Sequence, residues 1–223
     1  MEAPINCNED IIMNHISYNG KLTVIIVTFH SNHLIENLIN RLEKNIKIII
    51  IENSLNVDLK MHLEKKFENV HVIIPETNLG NGGGINLGLS QVKTEYSLYL
   101  DADVIPENDM IDILLKWTDK LKNFSMLAAR ELNYHYRDDQ YIKREKSKNY
   151  HKMRLITGCV LLFNMKSLSK TGYFDENIFL YYEEHDLFHR CIKLGLDIYM
   201  IDDAQFNHGG TSSANSIYDH EIY

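Results

Sequence analysis

The sequence predicts an α/β fold, a mainly parallel twisted sheet with helices on both faces. Three observations carry that reading. Runs of continuous branched apolar residues, expected of strands buried on both faces, recur along the chain, as in Leu22–Val27 and Ile48–Ile51. Stretches of helical period separate them. The apolar runs end in polar residues, where ligands sit in open sheets of this kind.

The elements follow in order. Residues 1–20 lack periodicity and close on the turn signal Asn19-Gly20, so they read as an extension to one main domain, 21–223. KLTVIIVTF is a first strand. SNHLIENLINRLEK is a helix capped by Ser31 or Asn32, with Leu34, Leu38 and Leu42 on one face. IKIIIIENS, VDLKMHLEKKF and NVHVIIPE continue as strand, helix and strand. GGGINLGLSQV opens a third helix, EYSLYLDADV is a fourth strand, and ENDMIDILLKWTDKL and SMLAAREL add a helix and a strand. Residues 134–154 break the alternation. They are charged and tyrosine-rich, and read either as a solvated surface segment or as a flexible flap over an acceptor. Periodicity resumes with LITGCVLLFN, MKSLSKTG, FDENIFLYYEEHDLFHRCIKLG and LDIYMI.

Bulk properties narrow the function. Apolar residues make up 44% of the chain and charged residues 24%, the balance of a globular domain that buries one core. A net charge of −8 removes a broad electrostatic footprint for nucleic acid. No apolar stretch approaches the roughly 20 residues that span a bilayer, and Met1–Asp10 has none of the features of a signal peptide. The expected location is cytoplasmic, with at most peripheral contact at the inner face of a membrane. Cys7, Cys159 and Cys191 are odd in number and form no Cys-x-x-Cys pair. They read as reduced thiols and not as a zinc site.

Four segments carry candidate chemistry. Asp101-Ala102-Asp103 places two carboxylates at the open end of a buried strand, a costly arrangement unless a cation neutralises them. A hard divalent ion, Mn2+ or Mg2+, held by carboxylates and substrate phosphates is the usual solution. Asn78–Gly88, NLGNGGGINLG, sits between strand and helix, but its glycines miss the dinucleotide register because Ile85 and Leu87 fall where a third glycine belongs. It reads as a loop that lets backbone approach a flat ligand, with Asn78 and Asn86 as polar readers. Glu183, Glu184 and Asp186 cluster beside apolar residues, where a carboxylate of raised pKa would serve as a general base. Acids at a helix N-terminus also favour the dipole, so this cluster alone decides nothing. On a helix, Glu183, Asp186 and Arg190 share a face at spacings of three and four, while Glu184 lies about 100° from Glu183. Arg190 would then neutralise Asp186 and Glu183, leaving Glu184 free. His208, in FNHGG past the last strand, is a candidate metal ligand.

Taken in order, VIIVTFH, IIIIENS, NLGNGGGINLG, LYLDADVIP, TGCVLLFN, FDENIFLYYEEHDLFHR and HGG resemble the family-2 glycosyltransferases of the GT-A fold, especially bacterial rhamnosyltransferase-like members. The resemblance runs from Lys21 to about Ser213. It implies a Rossmann-like nucleotide-binding half over 21–105 and an acceptor-binding half over 106–223. It implies that Thr28, His30, Glu52 and the Asn78–Asn86 loop, Gly80 included, line the base and ribose pocket. Asp101 would face the ribose and metal, Asp103 would bind magnesium or manganese, and His208 would complete the metal shell. Glu184 would take the acceptor proton as sugar C1 inverts. Glu184 stands where the family more often has Asp, which keeps Glu183 and Asp186 as rival bases. Thr-Phe-His likewise replaces the commoner Thr-Tyr-Asn at His30. The expected donor is a UDP- or dTDP-sugar and the acceptor a saccharide or lipid-linked hydroxyl, as in bacterial-type polysaccharide or glycolipid synthesis. A sugar nucleotidyltransferase is the enzymatic alternative, but TFHSNHLIEN lacks the basic phosphate loop expected after the first strand. A non-catalytic nucleotide-sugar-binding domain is the other.

Overall fold

A computed structural model describes residues 18, 20–107, 109–143 and 148–209. Cys7, most of the N-terminal extension and everything beyond Gly209 lie outside the described residues.

β1 (Leu22–Thr28), β2 (Lys47–Glu52), β3 (Val70–Ile73) and β4 (Tyr96–Asp101) are the apolar runs of the first half. They pair in parallel in the order β3-β2-β1-β4. The order reverses direction at β1 and β4, and such switch points open a crevice beyond the strand ends. β6 (Phe124–Glu131) and β10 (Asp197–His208) form a second parallel pair. β9 (Val160–Asn164) lies antiparallel between β4 and β6 and joins the two parallel sets into one continuous sheet. β5 (Val104–Pro106) departs from β4 after Asp101 and pairs with the end of β10. The stretch read as a single strand through Val104 is therefore two strands with Ala102 and Asp103 at the bend.

Alternation within the strands fills two cores. Val24, Ile26, Leu98 and Leu100 face α1 (Asn32–Ile39), α2 (Val57–Lys66) and α4 (Met110–Lys120). Ile25, Tyr99, Leu161 and Phe163 face α3 (Gly80–Ser90), α5 (Met165–Thr171) and α6 (Glu183–Lys193). α1 stops at Ile39, short of the expected end, and its buried stripe is Ile35, Leu38 and Ile39, with Leu34 only partly covered. Tyr18 is buried, and its hydroxyl donates to the Asp112 carboxylate on α4.

Residues 134–154, read either as a solvated surface segment or as a flexible flap, hold regular structure over much of their described part. β7 (Tyr141–Lys143) and β8 (Tyr150–Met153) form a hairpin, and β8 extends the sheet by pairing with β10. The reason is burial: Tyr136, Tyr141 and Met153 enter the second core, so this charged segment has an apolar set after all. Residues 144–147 lie outside the described set. Among the described residues, no helix is long and apolar enough to cross a membrane.

Candidate active site

The first rim residues stand where β1 and β2 end in register, Thr28 opposite Glu52. Thr28 is buried, and its hydroxyl donates to the Ile51 carbonyl at 3.4 Å. Glu52 is fully buried and its carboxylate is spent on the following turn. It accepts from the Ser54 backbone N–H at 3.2 Å, from the Ser54 hydroxyl, and from the Asn56 N–H at 2.5 Å. That turn holds His30, whose N–H donates to Ser54 Oγ at 3.4 Å and whose backbone sits at φ 53°. The exposed group at this rim is thus the His30 ring, with Glu52 fixing the loop beneath it. Asn53, which the motif reading passed over as a site residue, ties three elements together. Its N–H donates to Thr28 O at 2.8 Å and its side-chain amide to Gly80 O at 2.9 Å.

From Gly80 onward the glycine-rich segment forms the first turns of α3. Gly80 has φ 71°, and a Cβ there would lie 2.0 Å from the Phe179 carbonyl oxygen, which also accepts from Asn81 N–H at 3.0 Å. A Cβ on Gly88 would lie 2.7 Å from Ile25 of β1. Backbone does approach something closely here, but it is the sheet and the segment before α6. Asn86 spends its amide on Phe174, accepting from its N–H and donating to its carbonyl, both at 3.0 Å. Asn78 Oδ1 accepts from Gly80 N–H at 3.0 Å. Asn78 and Asn86 line a groove of about 610 Å³ with Tyr173, Glu176 and Phe179, apart from Thr28 and Glu52.

The acidic centre forms where β4 and β10 end. Asp101 takes its place through register with Val27, and the Tyr99 hydroxyl lies 2.5 Å from its Oδ1. Burial pushes the Asp101 carboxyl up from its ordinary range, and the nearby Asp103 charge adds to this. Asp103 Oδ1 lies 3.2 Å from His208 Nε2, and the Asp103 carbonyl accepts from Gly209 N–H at 2.9 Å. β10 reaches this point through a register shift between Ile201 and Gln205. His208 Nδ1 faces Glu131 Oε1 at 3.4 Å, so three acids surround one imidazole. Its pKa rises to about 9, first through the Asp103 hydrogen bond, against the opposing effect of burial. A site that makes a histidine hold its proton this firmly has a negative charge surplus. Carboxylate oxygens with one imidazole suit a hard divalent cation, so the residues fit magnesium or manganese. Glu131 and Cys159 join this centre, and no spacing in the sequence announces either.

The α6 acids separate into distinct environments. Asp186 accepts from Arg190 Nε at 2.8 Å, while Arg190 also donates to the carbonyls of Thr171 at 2.8 Å and Tyr173 at 2.6 Å. Glu183, expected to share Arg190, instead accepts from the Asn81 amide at 2.7 Å and is 4% exposed. The correction has a simple cause: Glu183 points toward α3, while Arg190 reaches back to the end of α5. Asn81 Oδ1 lies 2.9 Å from the Tyr99 hydroxyl, so Glu183, Asn81, Tyr99 and Asp101 form one chain across α6, α3 and β4. Glu184 packs beside Gly158, with His185 Nε2 at 3.9 Å from its Oε1 and, among the described residues, no Arg or Lys in an ion pair with it. Burial pushes its carboxyl up to about 7, with the charges of Glu183 and Asp101 adding. Thr28, Glu52 and His30 thus gather at one rim, and Asp101, Asp103, His208 and Glu184 at the acidic centre.

Residues 23–191 match the family model for glycosyl transferase family 2. The chain belongs to that family. Among curated relatives of this glycosyltransferase, a low-salt glycan biosynthesis hexosyltransferase of Haloferax volcanii is 24% identical over 199 residues, covering 79% of this chain and 63% of the relative. A cholesterol galactosyltransferase of Borreliella burgdorferi is 28% identical over 109 residues, 46% of this chain and 30% of the relative. The chain therefore spans less than two thirds of these relatives. Solved structures share its GT-A fold. GalNAc-T7 with UDP, GalNAc and Mn2+ superposes with a TM-score of 0.68 at 14% identity, over 84% of this chain and 43% of that one. A Pyrobaculum calidifontis mannosyltransferase in complex with GDP-Man and Mn2+ gives 0.66 at 13% identity, over 91% and 66%.

Proposed function

We propose that this family-2 glycosyltransferase moves a hexose from a nucleotide-diphosphate donor, of UDP or dTDP type, to an acceptor hydroxyl with inversion at C1. The observation that carries the reading is Glu184. Unlike Glu183 and Asp186 it is held by neither Asn81 nor Arg190, with only the His185 imidazole nearby at 3.9 Å among the described residues; its carboxyl sits near 7, and it lies close enough to Asp101 to feel its charge. A base poised near neutral pH is what deprotonation of an alcohol requires.

Asp103 and His208, with Asp101, would hold magnesium or manganese. The bound ion would supply Lewis-acid stabilisation of charge on the departing diphosphate. The chain's own residues do the rest. The rim at Thr28 and His30 receives the nucleoside, with Glu52 and Asn53 keeping that rim in shape. Asp101, oriented by Tyr99, faces the ribose side of the crevice. Glu184 accepts the acceptor's proton as its oxygen attacks C1 from the face opposite the diphosphate. Glu183 is held by Asn81 and positions the start of α6, so it is not the base. The acceptor is a saccharide or lipid-linked hydroxyl in polysaccharide or glycolipid synthesis. The lipid-linked case needs peripheral membrane contact in a cytoplasmic protein. Donor turnover by Glu184→Gln tests the proposal. Wild-type turnover in that variant, with loss in Glu183→Gln, would assign the base to Glu183.

A further inference from the structure

Asp101, Cys159 and His208 are far apart in sequence, yet the fold brings one oxygen, the sulfur and one ring nitrogen within 4.8 Å of one another. We propose that these three residues bind a thiophilic divalent cation of the Zn2+ class. This ligand set shares Asp101 and His208 with the oxygen-rich one assigned above to magnesium or manganese, and has the Cys159 thiol in place of Asp103.

Donor chemistry argues for the distinction. Hard cations choose carboxylate, carbonyl and water oxygens and leave a thiol aside. Thiolate, imidazole and carboxylate together are a zinc set, with water completing a tetrahedron. In such a tetrahedron sulfur and nitrogen stand about 3.5 Å apart, given metal bonds of about 2.3 and 2.0 Å. Cys159 Sγ and His208 Nε2 stand 4.0 Å apart, within reach of a small side-chain adjustment.

The frame is rigid. Asp101 closes β4, and its N–H donates to the Cys159 carbonyl at 2.9 Å immediately before β9 pairs with β4. The neighbours orient the donors: the Tyr99 hydroxyl touches Asp101 Oδ1, and Glu131 faces His208 Nδ1, which leaves Nε2 between Asp103 Oδ1 at 3.2 Å and the sulfur at 4.0 Å. Cation binding displaces two protons to solvent, one from the Cys159 thiol and one from the His208 imidazolium that Asp103 otherwise holds. Because Asp101 and His208 belong to both ligand sets, the two classes of cation exclude each other.

Cobalt(II), a spectroscopic stand-in for zinc, tests this on the full chain. Thiolate ligation gives an intense near-UV charge-transfer band. The band is expected when Co2+ is added to the wild type, and to collapse when Zn2+ is added. It should be missing in Cys159→Ser and in Cys159→Ala, with two variants covering a folding failure in either. Zn2+ affinity should fall by more than the roughly 10–100-fold that outer-shell changes cost. No band in the wild type overturns the proposal, as does a band that survives both substitutions or disappears instead in Cys7→Ser or Cys191→Ser. The readout uses no donor and no turnover, so it fails or succeeds independently of the glycosyl-transfer reading.

Discussion

At the scale of single residues, function rests on how differently the fold treats similar carboxylates. Glu183, Glu184 and Asp186 lie within one turn of α6, yet one is bonded to Asn81, one is bonded to Arg190, and one is left with a carboxyl near 7. Glu184→Gln should lower kcat on the order of 10²-fold or more while Mn2+ and UDP affinities hold, as steady-state kinetics and calorimetry would show. A base works only when deprotonated, so wild-type kcat should fall as pH drops through about 7. Stability carries the opposite sign. The folded pKa lies above the ordinary 4.5, so the penalty for ionising Glu184 is absent below that value and complete above about 7. Glu184→Gln is locked neutral. It should raise Tm at about pH 8 and leave it unchanged at about pH 4. Asp103→Ala should abolish Mn2+ binding by calorimetry while the protein still unfolds cooperatively, because Asp103 ends no core contact.

At the scale of elements, α3 is tied both to the rim at Thr28 and Glu52, through the Asn53 bond to Gly80, and to α6, through the Asn81 bond to Glu183. Two effects compete at Gly88. Alanine gains about 1 kcal/mol in helix propensity. Its Cβ would meet Ile25 at 2.7 Å, and overpacking costs about 1–3 kcal/mol. Ile25 is fully buried in a central strand and has nowhere to go, so Gly88→Ala should be destabilising in urea unfolding. Asp186→Asn should cost about 1 kcal/mol, the upper range for a partly exposed pair, since Arg190 keeps its carbonyl partners on α5. Activity should fall with stability there, unlike Glu184→Gln, which separates the two.

At the scale of the whole molecule, a continuous sheet lets distant segments meet at one crevice. β10 alone carries His208 from the far side of β6 to Asp103 at the end of β4. A rigid platform of this kind gains stability from ligand by mass action, about 2.7 kcal/mol at a hundredfold excess over Kd. UDP or dTDP with Mn2+ should therefore raise Tm clearly, and ATP with Mn2+ should not. Equal shifts would remove the pyrimidine assignment. The hairpin of β7 and β8 is packed into the second core without ligand, so hydrogen exchange at Tyr141–Lys143 and Tyr150–Met153 should be alike with and without donor.

The sequence by itself determined most of the strand and helix order, β5, β7 and β8 excepted, because branched apolar runs and helical periods are local signals. It also placed Thr28, Glu52 and Asp101 at strand ends, since a run must finish where its polar residues begin. The Asp186–Arg190 pair was legible for the same reason, as a spacing of four within one helix. The tertiary structure decided what spacing cannot encode. Of the three consecutive glycines, Gly82 lies against Phe174 and Glu183 and Gly84 against Val27 of β1, which depends on what packs against α3. Glu183 belongs to Asn81, 102 positions away, and not to Arg190. Tyr134–Arg154 looked too polar to order, but Tyr136, Tyr141 and Met153 find a core that other segments supply. Glu131 and Cys159 reach His208 only because β10 bends at its register shift, and a single buried acid or thiol carries no period for a reader to detect.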